Sequence, residues 1–475
     1  MPERARGALG LAILWIACRA ASGFDGLYGQ DAHEYLRYAT ALRNWLLVGV
    51  DPGYSPWPPA FPMSAALLSL TGISVAMSTQ MVSFLSWLAA YWFGALALER
   101  LHPGRSAAAY WAGLFALSPF LMRIALSSMS DMLAIAWECA CLAFGLRWLD
   151  ERRDLDMALA TFCLACGAAT RFSVPIVLGL VALWFLAEIL RAREGRALLA
   201  GVLGGLVPAV LAIRASSLQQ LALSNAEEWS AGNMVARSFS TLSGGSQAWA
   251  LPNLAASFVP LIHPGFCFLG VLLLAGVHRD DFKAPRIRVL ALSWLVFALF
   301  LSGLALQNDR HRLAAFPLAM MVLFPSFERW RMWAGARLGS PSRLRIAAGV
   351  LIAIQLGLLW GATRALFSAQ RQEMRIAQHL QQEPPVTLYT FSFTLGLQNR
   401  GVPQRLVELW NTSPRDARTG DLVLFAPDRL SGQWNGHPLM ANFASLRPRL
   451  GRPIQDFGGG WFLYRVEAGA GGREP

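Results

Sequence analysis

The sequence predicts an all-α polytopic membrane protein that carries a small α/β domain at its C-terminal end. Of its 475 residues, 55% are hydrophobic and 15% are charged, and the mean hydropathy is +0.40. Soluble domains carry about 25% charged residues, so this composition is far from theirs. Apolar runs of about 17–22 residues recur along the chain, which is the length that crosses the hydrocarbon core of a bilayer. Only the last ~100 residues change to short strand patterns.

These runs predict about eleven membrane crossings. The predicted spans are residues 7–23, 78–98, 106–123, 130–148, 155–170, 172–190, 198–214, 256–277, 289–306, 311–327 and 346–366. The arginine-rich segments between them fix the orientation, because positively charged loops remain on the cytoplasmic side. Arginines and the single lysine, Lys283, supply the positive charge behind the net charge of +12. We expect the first span to stay uncleaved, although its basic start and apolar core are also typical of a signal peptide.

The opposite, extracytoplasmic face is predicted to hold two loops, a short turn and the tail. The loops comprise residues 24–77 and about 215–255, and the turn lies near Arg171. In the first loop, "DAHEYLRYATALRNWLL" has the spacing of an amphipathic interfacial helix, and the prolines of "DPGYSPWPPAFP" end it. In the tail, "VTLYTF", "GDLVLFAP" and "GGGWFLYRVE" predict strands. We therefore predict a membrane domain, 1–366, and a soluble α/β domain, 367–475.

Charge and cysteine patterns exclude several function classes. The arginines cluster in short loops, as the positive-inside rule expects, so no nucleic-acid binding is predicted. All six cysteines lie in apolar runs, and the CxxC of Cys163 and Cys166 has no second ligand pair at zinc spacing. The cysteines are expected to behave as small buried hydrophobic residues. The sequence contains no HExxH, P-loop or GxSxG motif.

The start of the first outside loop gathers acidic and aromatic side chains. Asp31, Glu34 and Tyr35 lie at positions i, i+3 and i+4, so on a helix they share one face. Carboxylates at the bilayer edge act as a general base or bind a divalent cation that in turn binds phosphate. The alternative is a solvated helix face with Asp31 as its N-cap. His33 follows Asp31 by two residues, points away from it on a helix, and is expected to be a bystander.

Four motifs in chain order resemble those of the GT-C glycosyltransferases, a superfamily that includes protein O-mannosyltransferases and lipid A aminoarabinose transferases. They are D-x-x-x-Y at Asp31 followed by "YSPWPPAFP", then "ALSSMSDMLAIAWECACLAFGLRW", "GAATRFSVPIVLGL" and "QNDRHRLAAFPLAMMVLF". The resemblance covers residues 1 to about 366. It implies a polytopic enzyme that takes sugar from a polyprenyl-phosphate carrier and has an essential acid in its first outside loop. The family often has an acidic pair there, whereas this chain has Ala32, with Glu34 one turn on.

Basic side chains at the outer ends of helices are predicted to bind the phosphate of the donor. The residues that match the family's basic positions are Arg171, Arg310, His311 and Arg312. A polyprenyl phosphate holds its anionic head group at that depth, and guanidinium groups donate paired hydrogen bonds to phosphate. The alternative is that these long side chains snorkel to the membrane interface.

Further polar positions extend the candidate site. Asp131 begins a predicted span and is either a helix cap or, as the resemblance implies, a catalytic residue. Glu138 lies about two turns inside that span, where an acid is either functional or neutral and hydrogen-bonded between helices. Tyr35 and Tyr54 are additional pocket candidates beside the acidic motif. If a divalent cation is required, Asp31 and Glu34 are its candidate ligands.

The leading hypothesis is an inverting glycosyltransferase of the inner (plasma) membrane. It moves a monosaccharide from a polyprenyl-phosphate donor to an extracytoplasmic lipid, glycan or protein, with Asp31 as the base and arginines on the departing phosphate. A second hypothesis is a transporter, but the chain shows no internal symmetry and its polar groups gather at one face. A third is a non-catalytic subunit of envelope assembly, which predicts no cavity joining Asp31 to the arginines.

Overall fold

The protein forms two compact units. The computed structural model describes residues 2–55, 57–103, 107–215, 229–237, 251–266, 270–304, 308–410, 412–434 and 436–468. Of these described residues, those up to 26, from 38 to 237 and from 251 to 364 form the first unit, the membrane unit, and those from 27 to 37 and from 365 onward form the second, the tail unit. The predicted boundary at 366 lies beside the observed one, but the beginning of the first outside loop groups with the tail.

Helices make up the membrane unit. In chain order, the helices up to the tail are α1 (Glu3–Ser22), α2 (Gly29–Val48), α3 (Ala60–Ser69), α4 (Val75–Leu101), α5 (Ala108–Leu117), α6 (Pro119–Leu126), α7 (Asp131–Glu151), α8 (Asp154–Ala168), α9 (Ser173–Ala192), α10 (Gly195–Ala215), α11 (Ala231–Val235), α12 (Asn253–Ser257), α13 (Gly270–Ala275), α14 (Pro285–Ser302), α15 (Asp309–Leu313), α16 (Phe316–Leu338) and α17 (Pro341–Leu380). Helices α2 and α17 each continue from one unit into the other.

Length and apolar composition confirm a polytopic membrane protein. In the described part of the chain, six helices pass both criteria, namely α1, α4, α7, α9, α14 and α17, and the bent pair α5–α6 raises the number to seven. Some of the other predicted spans correspond to shorter or interrupted helices. For example, α8 has 15 residues, fewer than the roughly 20 that cross a bilayer upright.

Two predicted spans are broken at places where the sequence itself breaks helices. The span 106–123 bends by 70° between α5 and α6, where Ser118 caps α6 and Pro119 follows. The span 256–277 is divided between α12 and α13, and prolines at 260 and 264, which disfavour a helix interior, lie between these two helices. The prediction of a continuous crossing there was wrong.

A backbone hydrogen bond and a shared glutamine side chain connect the two breaks. The amide of Phe120 donates to the carbonyl of Gly265 at 3.0 Å. The side-chain amide of Gln355 on α17 donates to the carbonyls of Leu117 at 2.6 Å and Pro264 at 3.0 Å. Irregular backbone at membrane depth is stable only when protein supplies such partners. One glutamine therefore joins both breaks.

Small residues allow the helices of the membrane unit to approach closely. A Cβ atom at Gly204 on α10 would overlap the carbonyl of Ala158 on α8, and one at Gly145 on α7 would overlap the ring of Phe185 on α9. Close approach of backbones is how helices associate in a membrane, where the hydrophobic effect does not drive them together. These contacts fix α7, α8 and α9, whose ends carry part of the candidate site.

The tail unit contains a five-stranded mixed sheet. Its strands are β1 (Thr387–Thr390), β2 (Arg405–Glu408), β3 (Leu422–Phe425), β4 (Gln455–Gly458) and β5 (Trp461–Arg465), and its further helices are α18 (Thr394–Asn399), α19 (Pro427–Trp434) and α20 (Pro438–Leu446). The spatial order is β2-β1-β3-β5-β4, with β1 parallel to β2 and β3 and with β5 antiparallel to its neighbours. The buried face packs against the end of α17 through Ile376, Ala377 and Leu380.

The structure confirms the small α/β domain and its three predicted strands. β1, β3 and β5 lie within "VTLYTF", "GDLVLFAP" and "GGGWFLYRVE". The glycines Gly458–Gly460 all have positive φ and form the tight turn before β5. The sequence did not predict β2 and β4. Each is a four-residue strand that contains polar residues, and the two strands form the edges of the sheet.

Candidate active site

Three predicted side chains meet in the membrane unit. The carboxylate of Asp131 accepts hydrogen bonds from Arg171 through one oxygen and from Arg310 through the other. The distances from Asp131 Oδ2 to Arg310 Nη2 and Nε are 2.9 and 3.2 Å. Asp131 lies 40 residues from Arg171 and 179 from Arg310 in the sequence. We call this arrangement the arginine cluster.

Each member of the arginine cluster stands at the end of a helix. Asp131 begins α7, and Arg171 lies in the turn between α8 and α9, where its amide bonds the carbonyl of Gly167 at 2.9 Å. Arg310 is the second residue of α15, and the side chain of Asn308 caps that helix by accepting from the Arg310 amide at 2.9 Å. Helix ends give these long side chains access to a common point without interrupting the bundle.

Exposure and charge suit the arginine cluster to an anion. The Asp131 side chain is 2% exposed, whereas those of Arg171 and Arg310 are each 17% exposed. Two cations surround one anion, so the cluster keeps an excess of one positive charge. His311, which is half-buried, interacts electrostatically with Asp131 as well. Guanidinium N–H donors match the geometry of phosphate oxygens.

Arg312 contacts a different carboxylate. Its side chain is only 3% exposed and donates to Asp309 at 2.7 Å within the same short helix. Its predicted role as a phosphate ligand stays a prediction, and the geometry offers more support to Arg171 and Arg310.

Glu138 lies on α7 seven residues after Asp131, so both are on one face of that helix. It is fully buried, and neither carboxyl oxygen has a hydrogen-bond partner among the described residues. Burying a charged carboxylate without hydrogen bonds is very costly, so the neutral acid is the form expected here. The sequence left a functional and a structural interpretation open, and the structure shows a buried carboxyl that lacks a hydrogen-bond partner in the described part of the chain.

Replacement of Glu138 by leucine is expected to raise the free energy of unfolding by about 1–3 kcal/mol, because it removes a buried polar group that lacks hydrogen bonds. Unfolding of the purified protein in detergent micelles measures this. Glu188→Leu is the control, since Glu188 on α9 pairs with the exposed Arg191. A loss of stability in the Glu138 variant alone would show that this carboxyl is held by a partner.

The acidic motif of the first loop lies on α2, in the part that belongs to the tail unit. Asp31 is half-buried, and Tyr35 is 4% exposed. Both oxygens of Glu34 accept hydrogen bonds from Arg37, with Arg37 Nε at 2.8 Å from Oε2. The predicted catalytic role of Glu34 stays a prediction. Tyr54 is 59% exposed.

No group of three or more His, Cys, Asp or Glu side chains suited to a metal ion occurs in the parts of the chain that the structure describes. Asp31 and Glu34 therefore remain candidate ligands from the sequence alone. The cysteines that the structure describes are free thiols, and Cys163 is buried in α8.

Sequence reasoning missed the surroundings of His33. It is 1% exposed, and its Nε2 lies 3.1 Å from a carboxylate oxygen of Glu373 near the end of α17. The two residues are 340 positions apart, so no local pattern indicates the pair. His33 was expected to be a bystander only because it points away from Asp31 on the helix.

Comparison with solved structures identifies the fold. The crystal structure of ArnT from Cupriavidus metallidurans bound to undecaprenyl phosphate matches with a TM-score of 0.61 and 16% identity, over 97% of each chain. The apo structure of the same ArnT matches with a TM-score of 0.57 and 18% identity, over 96% of this chain and 98% of that one. This chain has the ArnT fold. No protein-family model and no curated protein sequence matches it.

At 16% and 18% identity, these matches show a shared fold. The likeness extends beyond the motifs. The motifs of the sequence resemblance end near residue 366. The structural match covers 97% of the chain, so it includes the C-terminal domain. The tail unit is thus part of the shared fold.

Proposed function

We propose that this protein is an integral membrane glycosyltransferase that moves a monosaccharide from a polyprenyl-phosphate donor to an extracytoplasmic acceptor. The observation that carries the proposal is the arginine cluster, in which Arg171 and Arg310 converge on one buried carboxylate. The ArnT fold supports it, because the Cupriavidus metallidurans ArnT was solved with undecaprenyl phosphate bound. The proposal includes the inner membrane as location, with the site and tail unit on the extracytoplasmic side.

The arginine cluster would serve the departing phosphate. As the bond between the anomeric carbon and the phosphate oxygen breaks, negative charge builds on that oxygen. Guanidinium groups fixed before the reaction stabilise such charge without reorganising. Asp131 is the group that fixes them, because its two oxygens hold one arginine each. In this scheme Asp131 positions the arginines and does not contact the sugar.

Asp31 would be the general base. It accepts a proton from the acceptor nucleophile as that group attacks the anomeric carbon, and the polyprenyl phosphate leaves with the bonding electron pair. A single displacement of this kind inverts the anomeric configuration. Asp31 is half-buried in the first turn of α2, at the positive end of the helix dipole.

The alanine variant of Arg310 is expected to raise the Kd for undecaprenyl phosphate by about 10- to 100-fold, since a hydrogen bond to a charged group contributes about 1.5–3 kcal/mol. Binding of undecaprenyl phosphate to the full-length protein in detergent, followed by intrinsic tryptophan fluorescence, measures this. Arg196→Ala is the control, because that side chain is 92% exposed and pairs with Asp154. Equal affinity in the Arg310 and Arg196 variants would contradict the proposal.

A further inference from the structure

The first turns of α2 are bound into the tail unit through His33. Its Nε2 lies 3.1 and 3.3 Å from the two carboxylate oxygens of Glu373, and its Nδ1 lies 3.1 Å from the side-chain nitrogen of Asn399. An amide nitrogen donates, so Nδ1 is the acceptor and the proton is on Nε2, facing Glu373. Arg400 donates to the same carboxylate at 2.6 Å. Every polar atom of the His33 ring therefore has a partner.

This contact is buried on both sides. The side chains of His33 and Glu373 are 1% and 8% exposed, and that of Arg400 is 16% exposed. Hydrogen bonds to charged groups in such surroundings are the strong ones, and removing one partner leaves the other unsatisfied. The pair thus constrains the position of α2 far more than an exposed ion pair would.

A second contact holds the preceding turn. The side-chain amide of Gln30 donates to Glu408 at 3.3 Å, and the hydroxyl of Thr394 donates to the same oxygen. Gln30 and His33 are three residues apart, so they share one face of α2. Burial raises the pKa of Glu408, although hydrogen bonds from Thr394 and Gln30 oppose that rise.

The contacts of Gln30 lie at the carboxyl ends of two parallel strands. Strands β1 and β2 are parallel, and Glu408 is the last residue of β2, while Thr394 begins the helix that follows β1. In parallel α/β sheets the carboxyl ends of the strands are where ligands bind. Here that edge holds Gln30 of the chain's own α2. The carboxyl-terminal edge of these strands therefore binds a segment of the same chain, the first turns of α2.

Resting on the proposed function, we infer that His33 and Glu373 form a clasp through which the C-terminal domain positions Asp31 for sugar transfer. Successive helix residues are rotated by about 100°, so His33 and Asp31 point to nearly opposite sides of α2. Fixing His33 against the tail unit therefore directs the Asp31 carboxylate to the other side. His33 is a positioning residue in this account, and the C-terminal domain has a part in catalysis without touching the substrate.

Kinetics of the full-length His33→Ala variant test the clasp. We expect kcat to fall by about 10- to 100-fold, because a misplacement of about 1 Å costs that much, while KM for the polyprenyl-phosphate donor changes less than twofold. His33→Gln, whose amide still donates to Glu373, should recover most of the lost kcat. Glu383→Gln is the matched control, since it weakens another carboxylate–arginine pair of the tail unit, with Arg465 at 2.9 Å.

Three outcomes overturn the inference. They are an unchanged kcat in His33→Ala, an equal loss in Glu383→Gln, or a fall in kcat with an equal rise in donor KM. Amide hydrogen exchange provides a readout that does not need transfer activity. In His33→Ala, exchange should accelerate in residues 29–37 and stay unchanged in β3 and β5, because only the local opening equilibrium changes. A wild-type protein without transfer activity contradicts the proposed function, and exchange then decides the clasp alone.

Discussion

Asp31→Asn is expected to lower kcat for sugar transfer by about 10³-fold, because asparagine cannot accept the proton of the acceptor nucleophile and general base catalysis contributes about 10²–10⁴-fold. Donor binding should be retained, since the arginine cluster contains no part of α2. The measurement is the rate at which the purified full-length protein in liposomes releases polyprenyl phosphate from the glycosylated donor.

Asp51→Asn is the control for this variant. Asp51 lies in the same outside loop, is exposed, and accepts a hydrogen bond from the amide of Gly53 at 2.9 Å. It should keep wild-type turnover. Unchanged turnover in Asp31→Asn would remove the central residue of the proposed mechanism, whatever the donor affinity.

Asp131→Ala is expected to lower the free energy of unfolding by about 3–5 kcal/mol, because it leaves two largely buried arginines without their carboxylate. It should also lower donor affinity, since Arg171 and Arg310 lose the group that orients them. Unfolding in detergent and binding of undecaprenyl phosphate give the two readouts. Asp131→Asn should lie between the alanine variant and the wild type, because its amide oxygen still accepts a hydrogen bond.

Asp150 offers a matched control for Asp131. It also sits between two arginines, with Arg100 at 3.0 Å and Arg286 at 2.6 Å, but its side chain is 32% exposed. Exposed ion pairs contribute about 0–1 kcal/mol, so Asp150→Ala should change stability little. An equal cost at the two positions would show that burial of the Asp131 cluster has no energetic consequence.

The sequence predicted the fold class because composition and run length report directly on the environment of a helix. Apolar runs with arginines between them indicate crossings, and alternation in "VTLYTF" indicates a strand. The break around residue 264 was missed, since an apolar run does not show whether a proline and glycine inside it will end a helix. The partner that makes the break tolerable, Gln355, lies 91 positions away.

The candidate site was partly predictable for the same reason. Chemistry suggested Asp131, Arg171 and Arg310 one by one, and the resemblance placed them on one predicted face. The sequence does not show which carboxylate each arginine contacts. It therefore did not distinguish Arg171 and Arg310 from Arg312, which pairs with Asp309. His33 was assigned no role, because its partner Glu373 belongs to a domain that no sequence motif identified.

The contact between His33 and Glu373 gives the tail unit a proposed positioning role. A soluble domain after a set of membrane helices is easily taken as a separate module for recognition. Here residues 27–37 group with it, and α2 continues from that group into the membrane unit. The clasp therefore links the domain's sheet, through one continuous helix, to the segment that carries Asp31.

The proposed function is tested most directly by a cryo-electron microscopy structure of the full-length protein in a lipid nanodisc with undecaprenyl phosphate. We expect the phosphate to lie within hydrogen-bond distance, about 2.7–3.2 Å, of the guanidinium groups of Arg171 and Arg310. The Asp31 carboxylate should lie on the same membrane face as that phosphate. A phosphate bound elsewhere, or Asp31 on the opposite membrane face from the arginine cluster, would contradict the proposed function.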